Sequence, residues 1–271
     1  MSSLPLVSPD WLALRADADD AARSRRLADA AVRLVGDGPI VVHDLGSGTG
    51  AMMRWLAPQL PGPQTWVLHD ADPGILGHVD PRPALDASGR PITVRTSVEQ
   101  LSELPLDAFA GGSLVTASAL FDVVTVDDAR AVVDACVASG VPALFSLTVL
   151  GRVRLSPRDA ADADFGTAFD DHQRRVVDGR RLLGPGAGGV LRELFAASDW
   201  RVRTDRTPWR LGAEDGELIA EWLDGWIAAA VEQRPELLPR ATAYRRRRDV
   251  QLALGGLGVT VQHEDVLAWP R

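Results

Sequence analysis

The chain has 271 residues, of which 46% are hydrophobic and 24% are charged, and its formal net charge is −8 at pH 7. This composition is typical of a globular protein, and the length suffices for one large α/β domain. The negative charge argues against sequence-independent binding to nucleic-acid phosphates, which needs a basic surface. The single cysteine, Cys136, excludes an internal disulfide and a cysteine-based zinc site, and the sequence has no paired-histidine metal signature, so we expect no metal.

The N-terminal sequence and the lengths of the apolar runs predict the location of the protein in the cell. The N-terminus has no basic region followed by an apolar core, and no apolar run approaches the ~20 residues that cross a bilayer. We therefore expect no signal peptide, no membrane span and a cytoplasmic location.

The first element in chain order is helical. Residues 10–35 are rich in Ala, Arg and Asp, and Leu27, Ala31 and Leu34 recur at helical spacing. This pattern predicts two helices.

Residues 40–56 have the pattern of a buried strand, a tight turn and a helix. The strand ends at Asp44, and the turn carries Gly46, Gly48 and Gly50, which can adopt positive φ and bring the backbone against a ligand. The spacing Gly46-x-Gly48-x-x-Ala51 also fits the dinucleotide-binding fingerprint. A carboxylate at the strand tip repels a pyrophosphate, however, and suits a cationic or zwitterionic ligand.

The next three strands also end in polar residues. A strand over Thr65–Asp70 precedes Asp72-Pro73, where Asp72 suits a helix cap. A carboxylate at Asp70 can accept two hydrogen bonds from a pair of ribose hydroxyls. Strands are also predicted from Ile92 to Thr96 and from Ser113 into Ser118, and the second of these leads to Asp122.

A helix from Asp127 to Ala138 and a fifth strand from Val141 to Val149 complete the regular part of the chain. Residues 151–189 are polar and end in a glycine-rich loop, which we interpret as an insertion. Beyond it we predict five elements: a helix over Val190–Ser198, a strand over Trp200–Thr204, helices over Glu214–Gln233 and Leu237–Leu254, and a last strand over Leu257–Val261. We expect the four arginines Arg245–Arg248 to lie on a solvated surface.

The run Asp44-Leu-Gly-Ser-Gly-Thr-Gly50 resembles the first motif of class I S-adenosylmethionine-dependent methyltransferases, and Asp70-x-x-Pro-x-x-Leu resembles the second. The resemblance covers residues 40–150 and implies S-adenosylmethionine as cofactor and S-adenosylhomocysteine as product. It assigns cofactor contacts to Asp44, Gly46, Ser47, Gly48, Gly50, Asp70 and Ala71, to Ser118, Ala119 and Leu120 at the reactive end, and to Arg15 or Arg23 at the methionine carboxylate. At the adenine it points to Ser97 and Val98, although Ser97 stands where the family usually has an acid.

The resemblance implies a Rossmann-like, doubly wound, mostly parallel seven-stranded sheet with N-terminal helices and a helical insertion after the fifth strand. Within one domain, 1–271, we expect an N-terminal cap over 1–36, a cofactor-binding core over 37–150, a lid over 151–189 and a C-terminal part over 190–271. The glycine-rich end of the lid could act as its hinge.

Methyl transfer from a sulfonium is an in-line displacement that depends mainly on proximity and orientation. A base is needed only where the acceptor must lose a proton, and the candidates are Asp122 and His172. His43, His69 and His263 are given no catalytic role. On a helix, Phe165, Phe169 and His172 share one face, which could contact an acceptor or could be an ordinary packing face.

We expect methyl transfer to a hydroxyl or amine of a small molecule, with no nucleic-acid or membrane partner and an unassigned oligomeric state. Two alternatives remain. One is a non-catalytic protein that binds S-adenosylmethionine as a partner or sensor, and the other is a nicotinamide dinucleotide oxidoreductase.

Overall fold

The computed structural model of the protein describes residues 7–36, 38–80, 82 and 84–271, so residues 1–6 of the expected N-terminal cap lie outside the described part. The helices are α1 (Pro9–Ala22), α2 (Arg25–Val32), α3 (Ala51–Leu56), α4 (Pro73–Leu76), α5 (Val126–Ser139), α6 (Asp162–Gln173), α7 (Ala187–Ala197), α8 (Gly216–Gln233) and α9 (Leu238–Ala253). The strands are β1 (Ile40–Leu45), β2 (Gln64–Asp70), β3 (Thr93–Val98), β4 (Leu114–Ser118), β5 (Ala143–Ser156), β6 (Val176–Val177), β7 (Arg180–Arg181), β8 (Arg201–Arg206), β9 (Trp209–Leu211) and β10 (Gly258–Trp269). Within the described part of the chain, no helix is both long and apolar enough to cross a bilayer.

The central sheet has the strand order β3-β2-β1-β4-β5-β10-β8, and the short strand β9 pairs with β10. The first five strands are parallel to one another, and β10 is antiparallel to both β5 and β8. The order reverses between β1 and β4, which is where open α/β sheets bind their ligands. The predicted fold class, a mostly parallel seven-stranded sheet, is confirmed.

Helices cover both faces of the sheet, as expected for parallel strands that are buried on both sides. One face packs against α2 and α3, around Leu27, Met53 and Trp66. The other face packs against α5 and α7, around Phe121, Phe145 and Phe195. The helices therefore form a three-layer arrangement that leaves the carboxyl ends of β1, β2 and β4 as one edge, here called the cofactor edge.

Strand β5 is longer than predicted and extends beyond the cofactor edge. Its pairing with β4 stops at Ser146, but its pairing with β10 continues to Ser156, opposite Gly258. The extended parts of β5 and β10 form a ribbon, and the short strand β9 pairs with it at Val259–Val261 of β10. The predicted end at Val149 was wrong because the distant strand β10 stabilises the extension, and β10 itself was predicted to end at Val261 instead of Trp269.

The ribbon is the base of a third apolar cluster, in addition to those on the two faces of the sheet. It consists of residues 149–173 and 207–261 and is here called the cap, as distinct from the N-terminal segment 1–36. Its buried side chains come from β5, β9 and β10 and from helices α6, α8 and α9. Phe165 lies at its centre, stacked on Tyr244 at 4.6 Å between ring centroids and tilted against Trp226 at 5.9 Å. Arg248 is also fully buried, over the Tyr244 ring, and it pairs with Asp162. The expectation that all four arginines of Arg245–Arg248 are solvated was therefore wrong.

The interior of the cap decides between the two roles considered for the aromatic face of α6. The face of α6 that carries Phe165 and Phe169 packs into the cap cluster against α8 and α9, so Phe165 cannot contact an acceptor. The hinge at the glycine-rich end of this segment stays a prediction, although one of its glycines, Gly188, lies within α7. A Cβ at that position would clash with a carboxylate oxygen of Glu264, so Gly188 packs tightly against β10.

Candidate functional site

The glycine turn after β1 has the conformation that its sequence predicts. Gly46, Gly48 and Gly50 all have positive φ, of 56°, 54° and 81°. A Cβ at Gly46 would lie 2.7 Å from Leu120, and one at Gly48 would lie 2.9 Å from Leu12 of α1. Side chains are thus disfavoured here chiefly by the backbone conformation, since the close contacts are with the ends of leucine side chains. Ser47, between them, is buried, and its Oγ has no hydrogen-bond partner among the described residues.

Asp44 lies at the centre of the cofactor edge, opposite Leu68 of β2 and Thr116 of β4. Its side chain is buried, and its Oδ1 accepts a hydrogen bond of 2.7 Å from the Thr116 hydroxyl. Burial raises the pKa of Asp44 to about 6. Its Oδ2 has no partner within the described part of the chain, so a buried acceptor is left for a ligand.

Asp70, at the tip of β2, connects the second strand to the glycine turn. Its Oδ2 accepts the N–H of Gly48 at 2.9 Å, and its Oδ1 accepts the N–H of Asp72 at 3.0 Å. Each oxygen keeps a second lone pair that can accept from a ribose hydroxyl. Asp72 caps α4 by accepting the N–H of Gly74 at 2.8 Å, as predicted, and Ala71 between the two acids is exposed.

Arg23 is the cation at the cofactor edge. It follows α1, and its side chain is 1% exposed. Its guanidinium donates to the hydroxyl of Ser118 at 3.1 Å, pairs with Asp20 and lies 5.6 Å from the ring centre of Trp55. Its Nε has no partner among the residues described. A buried guanidinium with a free N–H is suited to a carboxylate.

The backbone beside Arg23 is anchored to the last strand. Ser24 caps α2, and its N–H donates to Asp265 of β10 at 2.8 Å. Asp265 also accepts the N–H of Leu147, which has a φ of 57°, and the hydroxyl of Thr207, both at 2.8 Å. One buried carboxylate thereby fixes the position of Arg23 relative to β5 and β10.

Arg15 has a different environment from Arg23, although both were candidates for the same carboxylate. It forms two hydrogen bonds to Asp19, of 2.9 and 3.1 Å, and stacks over Trp209 at 4.9 Å. Trp209 also donates its indole N–H to Asp19 at 3.0 Å. The structure therefore brings Arg23, and not Arg15, to the hydroxyl of Ser118 at the cofactor edge.

The expected adenine contacts, Ser97 and Val98, form the last two residues of β3, whose end was predicted at Thr96. Ser97 is half-buried opposite His69, and Val98 is 60% exposed. The next residue, Glu99, is an acid, but its Oε2 lies 2.6 Å from Nδ1 of His69. The Nε2 of His69 in turn lies 3.0 Å from Nδ1 of His43. The acid next to the expected position is therefore engaged with a histidine pair beneath the edge.

Beyond β4, the chain turns through Ala119, which has a φ of 52°, and Leu120, which packs over Gly46. Asp122 follows in a short 3-10 turn. Its Oδ2 accepts a long hydrogen bond of 3.4 Å from the side-chain amide of Gln173, the last residue of α6. Burial raises the pKa of Asp122 to about 6. Asp122 Oδ1 and Gln173 Oε1 are both buried without a partner among the described residues.

His172, the other predicted base, points towards α8. Its Nε2 lies 3.4 Å from a carboxylate oxygen of Glu232, and its Nδ1 lies 3.3 Å from the guanidinium of Arg175. Burial, followed by the charge of Arg175, lowers its pKa. The contact with Asp122 is instead made by the neighbouring side chain of Gln173.

Two buried polar side-chain groups, on Gln173 and His263, were given no role from the sequence. Gln173 lies in a run of polar residues with no pattern that marks it. His263 lies in β10, is 3% exposed and packs edge-on against Trp209, and its Nδ1 has no partner in the described part of the chain. Burial, followed by the charge of Arg15, lowers its pKa to about 4. The one signal available in the sequence would have been a last strand that continues past Val261 and so buries His263.

The fold can be compared with solved structures. The cyclopropane synthase MmaA2 from Mycobacterium tuberculosis is similar over 97% of this chain and 94% of its own, with a TM-score of 0.52 and 16% sequence identity. The chain has the class I methyltransferase fold. The YcgJ protein from Bacillus subtilis is similar over 91% of this chain and 99% of its own, with a TM-score of 0.48 and 10% identity.

Another similar structure is the mycolic acid cyclopropane synthase CmaA1 complexed with SAH and CTAB, which covers 89% of this chain and 83% of its own with a TM-score of 0.44 and 15% identity. No protein-family model and no curated protein matches the chain. The likeness to MmaA2 establishes the class I methyltransferase fold alone, and the chemistry is argued from the residues of the cofactor edge.

Proposed function

We propose that this protein is an S-adenosylmethionine-dependent methyltransferase that acts on a hydroxyl or amine of a small molecule. The observation that carries the proposal is the pair of opposite charges at the cofactor edge. Arg23 and Asp44 are both buried there, and each has a polar side-chain atom without a partner among the described residues. A buried polar group without a partner costs about 1–3 kcal/mol, so such groups are expected to serve a ligand.

The two charges fit the amino-acid end of S-adenosylmethionine. Arg23 would bind its carboxylate through the free Nε, and Asp44 would accept from its ammonium through Oδ2. The lone pairs that remain on Asp70 would accept from the ribose hydroxyls. A nicotinamide dinucleotide has no amino-acid end and carries a pyrophosphate, which the buried Asp44 would repel.

When bound, the cofactor supplies a methyl group on a positively charged sulfur. The protein's own contribution is position, because an in-line displacement depends on the alignment of nucleophile and methyl group. Ser118, Ala119 and Leu120 would line the reactive end, where Leu120 already packs over the glycine turn. The cap would cover the acceptor and exclude water, since its ribbon extends past the edge on the side of β5.

Asp122 is proposed as the base for an acceptor that must lose a proton. It follows β4 at the cofactor edge, and a pKa of about 6 leaves it ionised near neutral pH. A carboxylate whose pKa lies near the working pH is effective in general base catalysis. His172 is a weaker proposal, because its imidazole is directed at Glu232.

Isothermal titration tests the cofactor assignment. We expect S-adenosylhomocysteine to bind with a dissociation constant in the micromolar range, which corresponds to about −8 kcal/mol. Heat of binding with a nicotinamide dinucleotide, and none with S-adenosylhomocysteine, would establish the oxidoreductase alternative instead.

Catalysis is tested separately from binding. A screen of small hydroxyl- and amine-bearing compounds with saturating S-adenosylmethionine, monitored by release of S-adenosylhomocysteine, should find acceptors. Tight cofactor binding with no turnover across such a screen would favour the non-catalytic sensor. The expectations of a cytoplasmic location and of no nucleic-acid partner stay predictions.

A further inference from the structure

The contact between Asp122 and Gln173 bears on which acceptor the site takes. Asp122 belongs to the turn after β4, and Gln173 is the last residue of α6 in the cap. Their side chains meet at 3.4 Å, where the amide nitrogen donates to Oδ2 of Asp122. This contact joins the cap to the part of the cofactor edge that follows Ser118.

The contact determines which polar atoms of the two side chains remain available to a ligand. The amide nitrogen of Gln173 faces the carboxylate, since the reverse orientation would place two oxygens against each other. The atoms left over are Oδ1 of Asp122 and Oε1 of Gln173, and both are buried without a partner among the described residues. Both are hydrogen-bond acceptors. Together they complement a group with at least two hydrogens to donate, which an amine has and a hydroxyl lacks.

The charges around Asp122 favour the same kind of group. Among the described residues, Arg15 is the one charged side chain that shifts the pKa of Asp122, and its guanidinium is already bound twice by Asp19. The carboxylate therefore lacks a cation of its own. An incoming ammonium would supply one, whereas a carboxylate or phosphate on the acceptor would be repelled.

We propose that Asp122 and Gln173 together select an amine as the methyl acceptor, so that the reaction is N-methylation. This inference rests on the proposed function. The amine enters as an ammonium, and Asp122 takes one proton as an N–H bond breaks and an O–H bond forms. The nitrogen lone pair then forms the new N–C bond, and the S–C bond breaks with its electron pair left on sulfur. The product leaves as a methylammonium, and Asp122 returns its proton to solvent.

An analogue of the cofactor tests this without a known acceptor. In sinefungin, an amine-bearing carbon replaces the methyl-bearing sulfonium, so its amine should reach the two oxygens. We expect sinefungin to bind at least tenfold more tightly than S-adenosylhomocysteine to the wild-type protein in isothermal titration. Asp122→Asn and Gln173→Leu should each reduce that ratio at least threefold, with S-adenosylhomocysteine affinity nearly unchanged.

The matched control is Asp170→Asn, which removes a carboxylate from the same helix. Burial raises the pKa of Asp170 to about 6 as well, but its oxygen lies beside Gly151. This variant should keep the wild-type ratio. The inference is overturned if the ratio is near one in the wild type, or if neither Asp122→Asn nor Gln173→Leu changes it. Failure of S-adenosylhomocysteine to bind at all would overturn the proposed function itself.

Discussion

The cofactor edge and the cap differ in how their residues find one another. At the edge, each strand tip and the turn that follows it are neighbours in the sequence, as Asp44 and the glycine turn are, and β1 pairs directly with β2 and β4. In the cap, Phe165, Trp226 and Tyr244 come from three separate helices. Local patterns therefore describe the edge, whereas the cap depends on contacts between distant segments.

The largest expected effect is the loss of stability caused by a substitution inside the cap. Trp226→Ala removes a buried indole that contacts Phe165 and should cost about 3–5 kcal/mol of stability, measured by urea denaturation. Trp222→Ala is the control, because its ring stacks on Trp226 at 5.4 Å but is only half-buried, so it should cost less. At 10 °C the folded Trp226→Ala protein should keep its affinity for S-adenosylhomocysteine. Loss of affinity without loss of stability would show that the cap and the edge are not separate in this sense.

The second prediction concerns Asp44 at the cofactor edge, where a substitution should raise the stability instead of lowering it. Burial raises the pKa of Asp44 from 3.8 to about 6, so the native state favours the neutral acid. Stability therefore falls as the pH rises from about 3.8 to about 6, and above that the shift of about two units costs about 3 kcal/mol of stability. Asp44→Asn removes that cost and should stabilise the ligand-free protein at pH 8, by up to that amount, and less at pH 5.

Affinity should change in the other direction for the same variant. Asp44→Asn loses a charged acceptor for the ligand's ammonium and should bind S-adenosylhomocysteine more weakly at pH 8. Thr116→Val is a useful comparison, because it removes only the hydroxyl that donates to Asp44. A variant that is less stable at pH 8, or that binds normally, would contradict the role given to Asp44.

The outcome of the sequence predictions follows the same division. The strand over Thr65–Asp70, the cap at Asp72 and the seven-stranded class were correct because propensity, turn residues and alternation are local signals. The extension of β5 to Ser156 could not be predicted, because its partner Gly258 lies far along the chain. The prediction that Arg248 is solvated failed for the same reason, since no residue near it in the sequence indicates that Asp162 is its partner.

The site residues show one further limit of the sequence. Arg15 and Arg23 are equally plausible in the sequence, and only the structure shows that Asp19 binds the first and Ser118 accepts from the second. Gln173 could not be preferred to His172, because a helical pattern does not say which side chain of the last turn reaches Asp122. The sequence predicts which polar residues lie at the strand ends better than it predicts the partners that those residues acquire.

The smallest expected effect tests the register of β2. Asp70→Ala should weaken binding of S-adenosylhomocysteine by about 1.5–3 kcal/mol, since it removes a charged acceptor for the ribose hydroxyls. Asp72→Ala is its matched control and should cost only ~1 kcal/mol of stability, through loss of the cap on α4, with affinity intact. Because Asp70 also accepts from Gly48, its variant should lose some stability too. Equal titration curves for the two variants would show that the register assigned to β2 is wrong.

The central claim is that Arg23 binds the amino-acid end of the cofactor. It is tested most directly by comparing S-adenosylhomocysteine with 5′-methylthioadenosine, which lacks that end, in wild-type protein and in Arg23→Gln. A charge-assisted hydrogen bond is worth about 1.5–3 kcal/mol, so Arg23→Gln should bind S-adenosylhomocysteine roughly 10- to 100-fold more weakly. Its affinity for 5′-methylthioadenosine should stay at the wild-type value. If Arg23→Gln weakens both ligands equally, or neither, the amino-acid end does not lie at Arg23 and the account is contradicted.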